Sequence, residues 1–313
     1  PDATALAHLA EVQRTRGKLD AGLDLCRRAI AIDPRLPSAH ANYAVLLQRT
    51  GRLEESLAEA GKVIELTPGE GNGYHLAGIA LSEARRTEEA LPYLLKGAEL
   101  APQDGMILST LGVCYERLGR LNEALATHQK AAALAPRNAA VLRNCGATLA
   151  LLERHKEALA VFQQAAALGD PSPELLVDLA NASGFARDFE AAIAWAKRAL
   201  GVLPDPTAAL VPLCEALTAV GRFDDAIAAA SQQLARKPDI LLQRTLGTTL
   251  IRAGRAAEGL VALEAGLTLA PDDATLHTNI ALTRMLLGNY ADAWAEYEWR
   301  WKHPRMIRAA PRH

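Results

Sequence analysis

Cysteine and histidine are the residues of this sequence best suited to metal binding or nucleophilic chemistry. The four cysteines, Cys26, Cys114, Cys145 and Cys214, form no C-x-x-C pair, and the eight histidines have no H-E-x-x-H spacing. Without such spacing, a small buried thiol is better explained as a packing residue. We therefore interpret the cysteines as buried, reduced thiols of a cytoplasmic protein, and we expect no metal and no cofactor.

The other common catalytic patterns are also missing from the sequence. It contains no G-x-S-x-G motif and no phosphate-binding glycine loop, because its glycines are distributed by a long period rather than clustered. We therefore predict that this chain is not an enzyme. The net charge of −2 gives no basic surface for nucleic acid, and no apolar run reaches the roughly 18 residues of a membrane span. Neither nucleic acid nor a membrane is an expected partner.

Proline recurs along the chain with a period of 34 residues. The series runs through Pro34, Pro68, Pro102, Pro136, Asp170 (with Pro171 beside it), Pro204, Pro238 and Pro271. A fixed period of this length is typical of stacked repeats, in which each unit covers the apolar face of its neighbour. We predict a repeat array over 1–304, with units starting near 3, 37, 71, 105, 139, 173, 207, 240 and 274, and a basic linker or tail over 305–313.

Small residues recur in phase with the proline. One column contains Ala10, Ala44, Gly78, Gly112, Gly146, Ala180, Cys214, Gly247 and Ala281. A second contains Gly22, Ser56, Ala90, Ala124, Ala158, Ala192, Ala226, Gly259 and Ala293. Small residues allow two helix backbones to approach closely. Inside each half of a unit, the apolar residues are three and four positions apart, which is helical spacing. A glycine between the two columns suits a helix C-terminus, so each unit is predicted to be helix, turn, helix.

The clearest unit runs from Leu108 through Leu111, Gly112, Tyr115, Ala124 and His128 to Pro136. This spacing resembles the tetratricopeptide repeat (TPR), although leucine stands where that pattern has tryptophan and His128 where it has phenylalanine. The resemblance implies an all-α, right-handed superhelical solenoid of about nine TPR helix-turn-helix repeats. It also implies that the first helix of each repeat lines a concave groove. The segment Gly169–Pro173 departs most from the pattern, either as a change in superhelical pitch or as a tolerated loop variant.

The first helices supply a mixed polar set to the expected groove. The candidates for partner binding are Asn42, Arg49, Arg117, Arg143, Asn144, Asp178, Asn181, Arg244 and Asn279. A row of asparagines can hold an extended peptide backbone, because one amide offers both a donor and an acceptor. Leu76 and Pro212 interrupt the row, so these residues could equally be ordinary solvent-facing side chains. Arg49, Arg117 and Arg143 favour an acidic partner segment, and the groove positions have too little lysine to resemble a carboxylate clamp.

Aromatic residues are concentrated near the end of the sequence. On a helix, Trp294, Tyr297 and Trp301 would form one stripe, whereas Trp299 would point away from it. The run Tyr297-Glu298-Trp299-Arg300-Trp301 resembles the Y-E-x-R-W signature that ends the TPR region of bacterial proteins in which a glycosyltransferase-like domain follows. The stripe either packs back on the eighth repeat or forms an interface, and a homodimer through this helix is one such interface.

Taken together, these features predict a protein-protein interaction scaffold that binds a protein or an extended peptide in its groove. The sequence does not begin with methionine, and we expect it to be one part of a larger bacterial protein. Two alternatives remain open. The chain could be the substrate-recruiting arm of a glycosyltransferase whose catalytic domain is absent here, or a scaffold that self-associates.

Overall fold

The computed structural model describes residues 2–302, which contain eighteen α-helices, a short 3-10 helix and no strand. Contacts within the chain divide it into two units, Pro1–Leu168 and Gly169–His313. The division falls at the segment that departs most from the repeat pattern. The predicted basic tail over 305–313 lies outside the described residues.

The first unit consists of five helix pairs. They are α1 (Ala3–Thr15) with α2 (Leu19–Ile32), α3 (Pro37–Arg49) with α4 (Leu53–Leu66), α5 (Gly71–Glu83) with α6 (Thr87–Leu100), α7 (Gly105–Arg117) with α8 (Leu121–Leu134), and α9 (Ala139–Leu151) with α10 (His155–Ala166).

The second unit adds four pairs and the 3-10 helix. They are α11 (Pro173–Phe185) with α12 (Phe189–Leu200), α13 (Thr207–Ala219) with α14 (Phe223–Leu234), α15 (Ile240–Arg252) with α16 (Ala256–Leu269), and α17 (Ala274–Leu286) with α18 (Tyr290–Tyr297), followed by the 3-10 helix Glu298–Lys302. The prediction of an all-α chain of nine helix-turn-helix repeats is confirmed.

The turn inside every pair contains one residue with positive φ. In six pairs it is glycine, with φ between 72° and 83°: Gly17, Gly51, Gly119, Gly221, Gly254 and Gly288. In the other three, Arg85, Glu153 and Arg187 take the same place with φ of 60° to 66°. Side chains with a Cβ are disfavoured in this conformation, by roughly 1–2 kcal/mol per residue. The packing of the two helices therefore imposes the turn geometry even where glycine is absent.

The two helices of a pair cross where the first small column faces the second helix. At Gly78, Gly112, Gly146 and Gly247, an added Cβ would lie within 2.7 Å of Leu94, His128, Phe162 and Leu263 respectively. Each of these larger residues follows its glycine by sixteen positions. Where the column instead contains Ala10, Ala44, Ala180 or Cys214, the residue sixteen positions later is small: Cys26, Ala60, Ala196 or Ala230. In these eight pairs the crossing thus holds either one larger side chain against glycine or two small ones, whereas in the ninth pair Tyr297 stands sixteen positions after Ala281.

The second small column lies where the backbones of a pair approach each other. The Ser56 hydroxyl donates to the carbonyl of Ala44 at 2.9 Å. A Cβ added to Gly259 would lie 2.8 Å from the carbonyl oxygen of Gly247. A larger side chain at either place would force the two helices apart.

Within each unit, neighbouring pairs stack through both of their helices. Within the first unit each second helix contacts the next first helix, and consecutive first helices (α1, α3, α5, α7 and α9) also contact one another. Consecutive second helices lie farther apart. The same arrangement joins α11, α13 and α15 in the second unit. The first helices therefore line the inner side of each unit, as the TPR resemblance implied.

A histidine, His128, fills the helix crossing of the fourth pair. It is fully buried against Gly112, and neither ring nitrogen has a hydrogen-bond partner in the described residues. The nearest carboxylate oxygen, on Glu116, lies 3.6 Å from Nε2. Burial disfavours the charged ring and lowers the pKa of His128 to about 4.

We predict that the Gly146–Phe162 contact behaves as one coupled unit. Gly146→Ala should destabilise the parent by about 1–3 kcal/mol, because its Cβ overlaps the Phe162 ring. In a Phe162→Ala background the same change should cost little, since Ala180 and Ala196 pair in this way in the next repeat. Urea unfolding of the parent, the two single variants and the double variant measures the coupling. Additive effects would contradict the proposed packing.

We also predict that His128 makes the protein sensitive to acid. The unfolded histidine binds a proton below a pH of about 6.5, whereas the folded one does so only near 4. Stability is therefore lost as the pH falls through that window. His128→Phe, which copies Phe162 of the next repeat, should remove up to about 3 kcal/mol of this loss. Urea unfolding between pH 7 and pH 4 tests this, and parallel pH profiles for parent and variant would show the prediction to be wrong.

Candidate functional site

The inner side of the first unit contains a cavity of about 250 Å³ between α5, α7 and α9. Its apolar lining comes from Ile79, Met106, Val113, Ala140 and Val141, and its polar lining from Ser82, Glu83, Ser109, Thr110, Arg117 and Asn144. Met106 is 47% exposed, which is high for a large apolar side chain in a folded repeat. The cavity combines apolar contact area with hydrogen-bonding groups, as ligand sites do.

A second cavity adjoins the first at the ends of α5 and α7. It measures about 570 Å³ and is lined by Ser82, Glu83, Arg85, Thr87 and Arg117. Ser82, Glu83 and Arg117 line both cavities. We call the two together the central groove.

Ser82 and Arg117 form the polar centre of the central groove. The Ser82 hydroxyl is buried and has no hydrogen-bond partner in residues 2–302. The backbone carbonyl of Ser82 accepts a hydrogen bond from Nη1 of Arg117 at 2.5 Å. This bond fixes the guanidinium at the groove, and the remaining N–H groups of Arg117 can contact a ligand. A buried hydroxyl without a partner is costly, and a ligand that supplies a partner would recover this free energy.

The predicted asparagine row is partly used by the fold itself. Asn42 donates to the carbonyl of Ala7 at 2.9 Å, and Asn144 donates to the Ser109 hydroxyl at 3.0 Å. In both cases the acceptor belongs to the preceding repeat, 35 residues earlier. Each bond uses one of the amide's two donors, so the oxygen and one N–H of the amide remain for other contacts.

Other hydrogen bonds between consecutive first helices escaped the sequence analysis. His75 Nε2 and Thr110 Oγ1 lie 2.8 Å apart, and Gln48 donates to the carbonyl of Leu76 at 3.1 Å. Thr148 donates to the Glu116 carboxylate. This hydrogen bond favours the charged carboxylate, but burial has the larger effect and raises the pKa of Glu116. Several of these pairs are 35 residues apart, so a comparison of polar residues at that separation would have found them.

The remaining candidates of the first unit lie outside the central groove. Arg49 is exposed at the end of α3, and Arg143 is half-buried on α9 next to Asn144. Neither lines the two cavities, whereas Arg117 lines both and Asn144 lines the cavity between α5, α7 and α9. The structure therefore brings Arg117 and Asn144 together and leaves Arg49 one pair of helices away.

The second unit has a smaller cavity between α11, α12 and α13. It measures about 190 Å³ and is lined by Ala180, Asn181, Gly184, Phe185, Phe189, Pro212, Glu215 and Ala216. Asn181 is the only predicted binding residue in this lining. Desolvation raises the pKa of Glu215, and the charge of Arg244 opposes that shift. Asp178 and Asn279 are half-buried on α11 and α17.

The aromatic segment near the end of the sequence, residues 294–301, is not one continuous α-helix as the predicted stripe requires. The α-helix ends at Tyr297, and residues 298–302 continue as a tighter 3-10 helix, so Trp301 is not in α-helical phase with Trp294. Trp299, which was expected to point away from the stripe, stacks on His277 with ring centroids 3.9 Å apart. This contact places Trp299 against α17.

His277 is itself held firmly in place. Its Nε2 donates to the carbonyl of Pro271 at 2.7 Å, and its Nδ1 contacts the Glu296 carboxylate. His40 makes the same two kinds of contact in the second repeat, with the Pro34 carbonyl and Glu59. Trp294 packs edge-on against Tyr297 at 5.9 Å, and the Arg300 guanidinium lies over the rings of both Tyr297 and Trp301.

Two negative findings apply to residues 2–302. No group of three or more His, Cys, Asp or Glu side chains is arranged to hold a metal ion. None of the helices in this range combines the length and apolar character needed to cross a bilayer.

Comparison with known proteins supports the repeat family. The family model described as Tetratricopeptide repeat matches residues 104–170, which include α7 to α10. No curated protein shows significant sequence similarity to the chain.

Two solved structures are similar in fold. The structure of the APC/C hetero-tetramer Cut9-Hcn1 has a TM-score of 0.67 at 19% identity, covering 89% of this chain and 55% of that one. This chain therefore spans about half the length of that relative. PilF of Pseudomonas aeruginosa has a TM-score of 0.57 at 20% identity, covering 66% of this chain and 94% of its own. The family match and the shared architecture together show that this chain has the fold of tetratricopeptide-repeat proteins.

Proposed function

We propose that this chain is a non-catalytic interaction module that holds an extended protein or peptide segment in the central groove. The observation that carries the proposal is the buried Ser82 hydroxyl, which lacks a partner and lies beside the anchored Arg117 guanidinium. A segment entering the groove would give this hydroxyl its hydrogen bond.

The lining of the groove suits an extended segment. Such a segment exposes backbone N–H and C=O groups along its length, and the remaining amide groups of Asn144 can bond to both kinds. Ile79, Met106 and Val113 offer apolar area to its side chains. Arg117, which lines both cavities, favours acidic side chains.

The proposal agrees with what proteins of this fold do elsewhere. Cut9 was crystallised in a hetero-tetramer with Hcn1, so this architecture can serve protein assembly. The four cysteines are buried, and desolvation raises the pKa of each thiol. Inert thiols of this kind are compatible with the cytoplasm, which we include in the proposal.

The groove can be tested with peptides selected on the parent protein from a random phage-displayed library. The variant Arg117→Ala/Asn144→Ala should weaken binding of the selected peptides by about tenfold or more, because it removes one charged contact and one amide contact of the groove lining. Fluorescence anisotropy with labelled peptides measures the change, and circular dichroism checks that helicity is retained.

A matched control removes charges from the second helices. Arg28 and Lys62 are exposed on α2 and α4, and Lys96 is half-buried on α6. None of them lines the central groove, so their triple alanine variant should bind the same peptides with unchanged affinity. Equal affinity of parent and groove variant would exclude the central groove as the binding site.

A second candidate function is favoured by the aromatic end. Leu286, Trp294 and Trp301 are 65%, 58% and 55% exposed, and they lie on consecutive elements of the last repeat. Exposed apolar side chains in one region mark interaction surfaces. We propose that this surface binds either a second copy of the chain, giving a homodimer, or a following domain. In the second case the chain would be the recruiting arm of a glycosyltransferase, as the Y-E-x-R-W resemblance implies.

Self-association can be measured by analytical ultracentrifugation over a range of concentrations. We expect the parent to form dimers, and Trp294→Glu/Trp301→Glu to be monomeric, because each buried aromatic ring contributes about 1.5–3 kcal/mol to an apolar interface. Tyr93→Glu, at a partly exposed aromatic residue of α6, serves as the control and should remain dimeric. A monomeric parent at every concentration would reject the homodimer and leave the following domain as the remaining occupant.

A further inference from the structure

Three consecutive first helices end in charged residues of alternating sign. Arg49, Glu83 and Arg117 are the last residues of α3, α5 and α7, and they are separated by 34 positions each. All three are exposed. We call them the charge column.

The charges of the column are not neutralised by the protein. Arg49 and Glu83 make no hydrogen bond or ion pair in the described part of the chain, and Arg117 bonds only to the Ser82 carbonyl. Elsewhere the protein pairs its charges at close range. Six second helices begin with an ion pair between an arginine and an acid three residues later: Arg52–Glu55, Arg86–Glu89, Arg120–Glu123, Arg154–Glu157, Arg222–Asp225 and Arg255–Glu258.

An apolar strip runs along the same three helices. Val45, Ile79 and Val113 occupy the ninth position of α3, α5 and α7, four residues before the charge column, and all are half-buried. Residues four apart on a helix lie on the same face. A segment lying across these helices would therefore meet an apolar strip on one side and the three charges on the other.

The spacing of the column suits one backbone conformation of the ligand. Packed helices typically lie about 8–10 Å apart, so we expect a similar spacing between successive charges of the column, whose helices contact one another. A polyproline II segment rises about 3.1 Å per residue with three residues per turn, so every third side chain returns to the same face after about 9 Å. In a β-strand, by contrast, side chains three apart point to opposite faces.

We infer that the charge column selects a ligand segment in polyproline II conformation with the charge pattern acid-x-x-base-x-x-acid. The acids pair with Arg49 and Arg117, and the base pairs with Glu83. The pattern is the same in both chain directions, so the selection does not depend on the orientation of the segment. This inference rests on the proposed function, since it requires an extended segment in the groove.

The test compares fluorescein-labelled, proline-rich peptides that differ only at three positions spaced by three. One peptide contains Glu, Lys and Glu in that order, and a second contains Glu, Glu and Lys, with the same composition and net charge. The parent should bind the first at least about tenfold more tightly by fluorescence anisotropy, because only the first peptide matches every charge of the column.

A change of one residue in the column should change the preferred peptide. In Glu83→Lys the column becomes entirely basic, so the preferred peptide should become the one with Glu at all three positions. Glu65→Lys makes the same charge change at an exposed residue of α4, outside the column, and should leave the preference of the parent unaltered.

Three results would overturn the inference. The first is equal affinity of the parent for the two peptides of identical composition. The second is an equal change of peptide preference in Glu83→Lys and Glu65→Lys, and the third is no binding of any of these peptides. The library selection separates this failure from a failure of the proposed function. Selected peptides that lose affinity in the groove variant, yet show no alternation of charge at this spacing, would reject the charge column and retain the groove.

Discussion

The space at the crossing of the two helices in each repeat is the constraint on which the other features depend. In eight of the nine pairs that space holds one large side chain against glycine, as at Gly146 and Phe162, or two small ones, as at Ala180 and Ala196. Because a larger residue at the crossing faces glycine and small residues face each other, the two helices of a pair can pack closely despite different sequences. Equivalent positions of neighbouring first helices then lie side by side.

The same constraint explains the turns and the buried histidine. Since the crossing sets where each second helix must begin, the connecting residue takes a positive φ whether or not it is glycine, and Arg187 accepts that strain. At Gly112 the crossing is filled by His128, whose ring fits the space but finds no hydrogen-bond partner. The ring fills the space but leaves its nitrogens without hydrogen bonds within residues 2–302, so protonation of His128 destabilises this crossing as the pH falls.

Alignment of the first helices has two consequences for polar residues. Those that reach a neighbouring helix, such as Asn42 and His75, form hydrogen bonds between repeats and stabilise the stack. Those at the helix ends, such as Arg49 and Glu83, extend past the neighbouring helix and remain exposed. Position along the helix, rather than residue type, therefore separates the residues that support the fold from those available to a partner. Arg117 does both, since it bonds to Ser82 and also lines the groove.

The sequence by itself determined the helical class, the number of repeats, the glycine turns and the small columns. These follow from periodicity, because each depends on contacts within one repeat or with the next one, and the repeat presents them many times. The tertiary structure alone decided which polar candidates are engaged: the Asn144 amide bonds to Ser109, the Ser82 hydroxyl has no partner, and Trp299 rather than Trp301 packs on the last repeat. Such outcomes depend on the rotamer of one side chain and the atoms it meets across a helix interface, and a pattern of residue types does not contain that information.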